Sequence, residues 1–431
     1  MTGRAGAGGS THGGTLLPVA VVAGLHAEVR RQAVAELLLA YPDAVVLHHD
    51  LTDASVGLAH RSIRSADGLI DADGLIDADG QAAADVQVGG VTTVPLTNDC
   101  PCCAVRADLL PQLRRLAHGG RHSLAVVELW GGSEPHAVTE VVVGAEVDGR
   151  CMAEDVYVAA VVVAVDPTRV VEDLSVSDQL RDFGLHTSAD DERSRAEALA
   201  RQIEYAQLIV VPRAPQGGEN AEDREQRLAG LAMIQQLHPA ARRVALGTGA
   251  LAAGDGVAAA RFDVPAARDR VNPAIALLPQ QAEGCGVATL VWERRRPLHP
   301  ERLHEALEQL VPAAQRSRGR FWLANRPDLM LAWDAAGAGL AMEECGPWLA
   351  ALDDDQWDLY PPQRRAAAAL EWHPTYGDRI QQLVFTAAGL DAEGVVELLD
   401  SCLLTDEELG AGESGWKALP DAFEDLLDPV T

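Results

Sequence analysis

Polar and apolar positions along the chain follow two regimes. In the first, short apolar runs alternate with stretches of helical spacing. Residues 17–24 form an apolar run ending in Gly24, which predicts a buried first strand. Val29, Val34, Leu37 and Leu38 then recur at helical spacing and predict a helix over 26–40. Further apolar runs predict strands at 44–48, 91–96, 123–129, 157–165, 208–211 and 244–246. Helical spacing returns after Cys103, over 196–206 and over 228–237. Strands alternating with helices predict an α/β fold with a doubly wound, mostly parallel sheet.

The second regime starts at Val287. A strand at 287–293 and a helix at 300–311 precede three short strand-like runs at 320–324, 330–333 and 339–343. A strand at 380–387 and a helix at 391–402 close the pattern, which predicts a smaller α+β unit with mainly antiparallel strands. The expected domains are therefore 16–250 and 287–409, with 251–286 as a linker. Residues 1–15 read as a disordered tail and 410–431 as a mobile acidic tail. Residues 61–90 carry Ala66-Asp67-Gly68-Leu69-Ile70-Asp71 repeated with a period of six. Carboxylates suit calcium, but the spacing fits neither an EF-hand nor a nonapeptide roll, so an acidic surface loop is expected.

Charge narrows the function classes. The 431 residues carry a formal net charge of −29, which repels phosphate backbones and excludes a general nucleic-acid binder. Arg294–Arg296 and Arg316, Arg318 and Arg320 are local exceptions, either a small docking patch or solvated charge. No apolar run is long enough to span a bilayer, and residues 1–14 lack the apolar core of a secretory signal. Seven cysteines in such a chain suggest a reducing cytoplasm. Lys417 is the sole lysine.

Candidate chemistry centres on Cys100-Pro101-Cys102-Cys103. Thiolates are soft ligands for zinc or copper(I). The helical spacing of Val105, Leu109, Leu110, Leu113 and Leu116 places the thiols at a helix N-terminus, which lowers thiol pKa. Three thiolates leave room for a fourth ligand, from among Cys151, His48, His49, Glu128, a water or a partner. A buried cluster of small residues is the alternative. Cys285, Cys345 and Cys402 stand isolated and read as structural.

Over residues 17–409 the chain resembles the CobW-type P-loop GTPases and metallochaperones. The resemblance rests on the Cys-x-Cys-Cys motif with Arg106 and Asp108-Leu109, and on Glu128-Leu-Trp-Gly131-Gly-Ser-Glu134-Pro135. Its strongest part is C-terminal: Arg296-Pro-Leu-His-Pro-Glu-Arg-Leu303, Gly319-Arg-Phe-Trp-Leu-Ala324, Gly377-Asp-Arg379 and Leu403-Leu-Thr-Asp-Glu-Glu408. It implies a P-loop NTPase-like domain followed by a CobW C-terminal-type domain. It also implies zinc as cofactor or cargo.

The nucleotide segment departs from that pattern. A P-loop needs glycines, a Lys for the β/γ-phosphates and a Ser/Thr for Mg²⁺. Here Gly24 is followed by Val29, Arg30 and Arg31 at the glycine, lysine and hydroxyl places, with Glu28 adding negative charge. Where the family reads guanine with Asn-Lys-x-Asp, the chain has Pro212-Arg-Ala-Pro215. Gly24, Arg30, Glu128 and Asp166 then mark a vestigial nucleotide site, and GTP with Mg²⁺ is not expected. The metal residues are Cys100, Cys102 and Cys103, and no catalytic residue is assigned. The reading leans away from an enzyme, toward a metal-responsive adaptor with a protein partner. The stretch Arg320–Asp328 resembles an actinobacterial branch linked to zinc starvation and to bringing a hibernation factor to the ribosome. The alternative is a GTP-dependent zinc metallochaperone. An oligomer that shares metal ligands between two chains is compatible with either.

Overall fold

The apolar run Leu17–Ala23 forms strand β1, in the interior of a nine-stranded sheet. This computed structural model describes residues 16–66, 68–69, 91–96, 101–215, 217–252, 257–258, 260–273 and 275–427. After β1 come α1 (Ala27–Ala40), β2 (Val45–Asp50), β3 (Leu58–Ser65), β4 (Gly68–Leu69), β5 (Val91–Pro95) and α2 (Pro101–Gly119). They are followed by β6 (Ala125–Glu128), α3 (Pro135–Gly144), the hairpin β7 (Glu146–Val147) and β8 (Arg150–Cys151), and β9 (Val156–Ala164). The remainder is α4 (Val170–Asp173), α5 (Arg195–Tyr205), β10 (Leu208–Val211), α6 (Ala221–Leu237), β11 (Arg242–Ala245) and α7 (Val264–Val271).

The strand order is β11-β10-β9-β1-β6-β2-β3-β4, with β5 also pairing with β3. From β11 to β2 every pair is parallel, and β3 turns antiparallel onto β2. Helices cover both faces, so β1 and β9 are nearly continuous apolar runs with no polar alternation. Val19 and Val21 belong to the core that holds Leu113, Val142 and Leu199, whereas Ala20 and Val22 join Val29, Val34 and Leu37 of α1.

A second, six-stranded sheet is antiparallel throughout. Its strands are β12 (Ala282–Gly284), β13 (Val287–Arg294), β14 (Arg316–Phe321), β15 (Leu329–Ala336), β16 (Gly339–Pro347) and β17 (Gln381–Ala388). Their order is β12-β13-β17-β14-β15-β16. Leu303 and Leu310 of α8 (Pro300–Leu310), with Val395 and Leu399 of the helix Ala392–Ser401, share a core with Phe321, Trp333 and Phe385. The fold class is thus as expected, a mostly parallel α/β sheet followed by a smaller antiparallel α+β unit.

Several segments differ from the sequence reading. The expected loop 61–90 begins as strand, since β3 runs to Ser65; the repeat residues 70–90 lie outside the described residues, as do 1–15. The expected linker 251–286 contains α7, whose Val264 and Ala267 are buried in the first core. The acidic tail is docked: Phe423 is fully buried beside Leu427, and its ring lies edge-on to His304 at 5.5 Å. An ion pair from Asp421 to the buried Arg326 at 2.7 Å fastens it further.

The arginines of both clusters are paired with carboxylates, the first cluster in partly exposed pairs and the second in more buried ones. Arg294, Arg295 and Arg296 pair with Asp400, Glu371 and Asp406. Arg316 is buried against Glu204 at 2.7 Å and also pairs with Asp334, Arg318 shares Glu204 at 3.1 Å, and Arg320 is buried near Glu371. Glu204 belongs to α5, so Arg316 and Arg318 join the two sheets. Among the described residues no helix is long and apolar enough to cross a membrane.

Candidate functional site

β1 delivers the chain into a tight turn before α1. Gly24 has φ +140°, and a Cβ there would sit 2.3 Å from the Ala164 carbonyl oxygen, so the turn requires glycine. Arg30, one turn into α1, folds its buried guanidinium back across this turn. Nη1 donates to the Gly24 carbonyl, and Nε donates to Glu128 Oε1 at 3.4 Å. Glu128, at the end of β6, also accepts from Arg64 Nη2 of β3. Burial pulls the Arg30 pKa below its ordinary value, against the stabilising Glu128 charge.

Beside this turn His26 Nδ1 accepts from the Asp166 backbone N–H at 2.9 Å. The proton therefore sits on Nε2, which donates to Asp173 Oδ2 at 2.8 Å. The Asp166 carboxylate accepts from the Thr168 N–H and hydroxyl, capping its own turn. Arg31 points outward and pairs with Glu28 at 2.5 Å. The structure thus brings Gly24, Arg30 and Glu128 together, while Asp166 reaches them only through its N–H and His26. Sequence reasoning missed His26, Asp173 and Arg64. His26 and Asp173 lie 147 residues apart, so no local pattern reveals their pairing.

Chemically, this arrangement is poor in the parts that hold nucleoside triphosphate. The segment supplies no lysine and no hydroxyl, one guanidinium is committed to Gly24 and Glu128, and the first turn of α1 carries Glu28. After β10, Pro212–Pro215 offers no carboxylate for a base. The residues present do not fit Mg²⁺-nucleotide as a P-loop does.

Of the metal candidates, Cys100 lies outside the described residues, and Cys102 and Cys103 occupy the first turn of α2. A helix N-terminus favours thiolate over thiol. Of the suggested fourth ligands, the two histidines each engage one ring nitrogen, and Cys151 and Glu128 have protein partners. His48 Nδ1 lies 2.9 Å from the Glu128 carbonyl, and burial lowers its pKa. His49 Nε2 bonds Asp108 at 2.8 Å, and Asp108 also holds Arg61 at 2.5 Å. Cys151 Sγ approaches the Val143 carbonyl at 3.9 Å, and Glu128 holds two arginines. Among the described residues no group of three His, Cys, Asp or Glu is placed to hold a metal.

Asp108 belongs to the cysteine helix, so its two bonds tie that helix to β2 and β3. Alongside lies a cavity of about 680 Å³ lined by His49, Arg106, Glu128, Trp130, Glu134 and Arg193, among others. Burial pushes the Glu134 pKa up, but His136, Arg201 and Arg193 outweigh it and hold the carboxyl at about 2.

Residues 18–240 match the CobW/HypB/UreG nucleotide-binding domain, and residues 287–403 match the cobalamin synthesis protein CobW C-terminal domain. A zinc chaperone of Mycobacterium tuberculosis is 33% identical over 339 residues, covering 76% of this chain and 78% of that protein. Zinc-regulated GTPase metalloprotein activator 1 of Dictyostelium discoideum is 28% identical over 341 residues, covering 77% and 70%. The Zn(II)-bound YjiA GTPase from E. coli aligns with 90% of this chain and all of its own, at 12% identity and a TM-score of 0.34. The paired domain matches and the one-third identity to the mycobacterial protein place this chain in the CobW/HypB/UreG family, in the form that carries a CobW C-terminal domain.

Proposed function

We propose that this chain serves zinc homeostasis as a metal-responsive adaptor. Its input is zinc at Cys100, Cys102 and Cys103, and its output is contact with a client protein. The observation that carries the reading is Arg30. Its guanidinium is spent on the Gly24 carbonyl and Glu128, within the turn where a P-loop would present its lysine to phosphate. An unbroken cysteine motif beside a self-occupied nucleotide turn favours metal state over nucleotide state as the signal. The names of the two relatives, a zinc chaperone and a zinc-regulated activator, support zinc as the metal.

For the client we propose a hibernation factor brought to the ribosome under zinc depletion, on the resemblance of Arg320–Asp328 alone. Trp322 and Arg326 of that stretch are buried, so those two side chains do not meet the client directly. The test is calorimetric titration of zinc and GTP into the reduced protein. One zinc per chain, without GTP heat, is the expected result.

A second reading is a GTP-dependent zinc metallochaperone. The match of residues 18–240 to a nucleotide-binding domain favours it. Tight GTP binding that zinc strengthens would establish it in place of the adaptor.

A further inference from the structure

β16 is the outer strand of the six-stranded sheet and pairs only with β15. Its register is regular from Gly339, opposite Ala336, to Glu344, opposite Leu331; beyond that the pairing shifts, and Pro347 meets Leu329. Every second residue of such a strand turns its N–H and C=O away from the sheet. The register shift and Pro347 blunt one end of this edge but leave Gly339–Glu344 regular. Apart from β15, no backbone–backbone hydrogen bond among the described residues reaches that stretch. The Cys345 thiol makes a long contact of 3.9 Å to the Glu343 carbonyl.

A groove of about 730 Å³ runs beside this edge, between β16 and α8. Leu307, Val311, Leu340, Met342 and Leu426 give it an apolar floor with Glu308 on its rim, while the exposed Glu343 leaves the opposite face of β16. Neither Glu308 nor Glu343 makes an ion pair among the described residues, whereas neighbouring Glu344 is taken by Arg326 at 3.0 Å.

We propose that Gly339–Glu344 is a docking edge for an extended segment of a partner protein in which apolar residues alternate with Lys or Arg. Strand addition supplies a main-chain ladder, and alternate side chains fall into the groove. The apolar set covers Leu340 and Met342 on the α8 face, and the basic set, on the opposite face of the added strand, meets Glu343. A second copy of this chain fits less well. It brings the same glutamates and its own net charge of −29 to a rim that lacks cations. The proposal stands whether or not the cysteines bind zinc.

The experiment uses the full chain and fluorescence anisotropy with a labelled peptide of about seven residues alternating Val and Arg, long enough for an average strand. Two control peptides carry the same side chains with every backbone amide N-methylated, or Glu in place of Arg. Saturable binding of the first peptide is expected, with about tenfold or greater loss for either control. The variant Glu343→Lys weakens it by a similar factor while leaving the ladder intact. Equal binding of the methylated peptide would mean a contact made by charge alone and would overturn the proposal, as would no saturable binding. A dimer in sedimentation velocity that Met342→Arg dissociates makes a second copy the occupant and overturns it too.

Discussion

Arg316→Ala tests how the two sheets are held together. The Arg316 Nε and Nη2 donate to the two Glu204 oxygens at 2.7 and 3.0 Å, and Nη1 reaches the Asp334 carboxylate and the Ala335 carbonyl. Arg316 and Glu204 are each about 5% exposed at the side chain, so neither charge falls back on water. Removing one partner of a buried pair costs about 3–5 kcal/mol, because the other charge stays buried. Here each carboxylate keeps one cation: Glu204 keeps Arg318 at 3.1 Å, and Asp334 keeps Arg201 at 3.1 Å. The loss should therefore fall at the lower end, about 3 kcal/mol. Denaturant unfolding at neutral pH, followed by tryptophan fluorescence, reads it. Eight tryptophans are present, and Trp292, Trp322, Trp333 and Trp348 are fully buried. Glu204→Gln alone should also destabilise, because it takes the carboxylate from both Arg316 and Arg318. A loss below about 1 kcal/mol in Arg316→Ala would falsify the view that this pair joins the sheets.

Three further outcomes follow from the same structure. Arg326→Ala strands Glu344 and Asp421 and should release the tail around Phe423, costing about 3 kcal/mol and speeding hydrogen exchange over 412–427; unchanged exchange there would show that the tail is held by other contacts. Burial, with repulsion from Arg270, pushes the His238 imidazole down to about 4 from 6.5, so the fold keeps it neutral while the unfolded chain takes the proton. That stabilisation is complete above pH 6.5 and is lost as pH falls to 4, roughly 3 kcal/mol in all, and His238→Gln should flatten this part of the stability profile; an identical profile in the variant contradicts it. The Cys102→Ser, Cys103→Ser pair should lose most zinc affinity, measured by competition with a chromophoric chelator, because the soft ligands go while the turn stays; retained affinity places the zinc elsewhere.

The parallel sheet was legible because its strands are buried on both faces. β1, β9 and β10 stand out as apolar runs between helical stretches, and the β10 bounds agree with the reading. β3 was not legible, since an antiparallel strand beside the sheet's edge puts His60, Arg61 and Arg64 among its few apolar residues. The helix α3 was also missed. Its Val138, Val141, Val142 and Val143 are β-branched and look like strand, and packing decides otherwise. The docked tail escaped because Phe423 and Leu427 are sparse anchors in an acidic stretch.

At the site, the resemblance to the P-loop pattern singled out Gly24 and Arg30. It could not show that Arg30 turns inward to Glu128 while Arg31 turns out to Glu28, because that choice depends on strands 98 residues away. The bonds of Asp108 to His49 and Arg61 were hidden for the same reason.

The measurement that tests the central claim most directly is GTP turnover by the reduced, purified protein with Mg²⁺, with and without zinc. Charge on a transferring phosphoryl group needs a cradle of N–H donors, a lysine and a hydroxyl-held Mg²⁺. This chain offers Arg30 already bound to Gly24 and Glu128, and an outward Arg31. The account predicts background turnover that zinc does not raise and that Arg30→Ala does not change. Zinc-stimulated hydrolysis that Arg30→Ala abolishes would contradict it and establish the chain as a working GTPase.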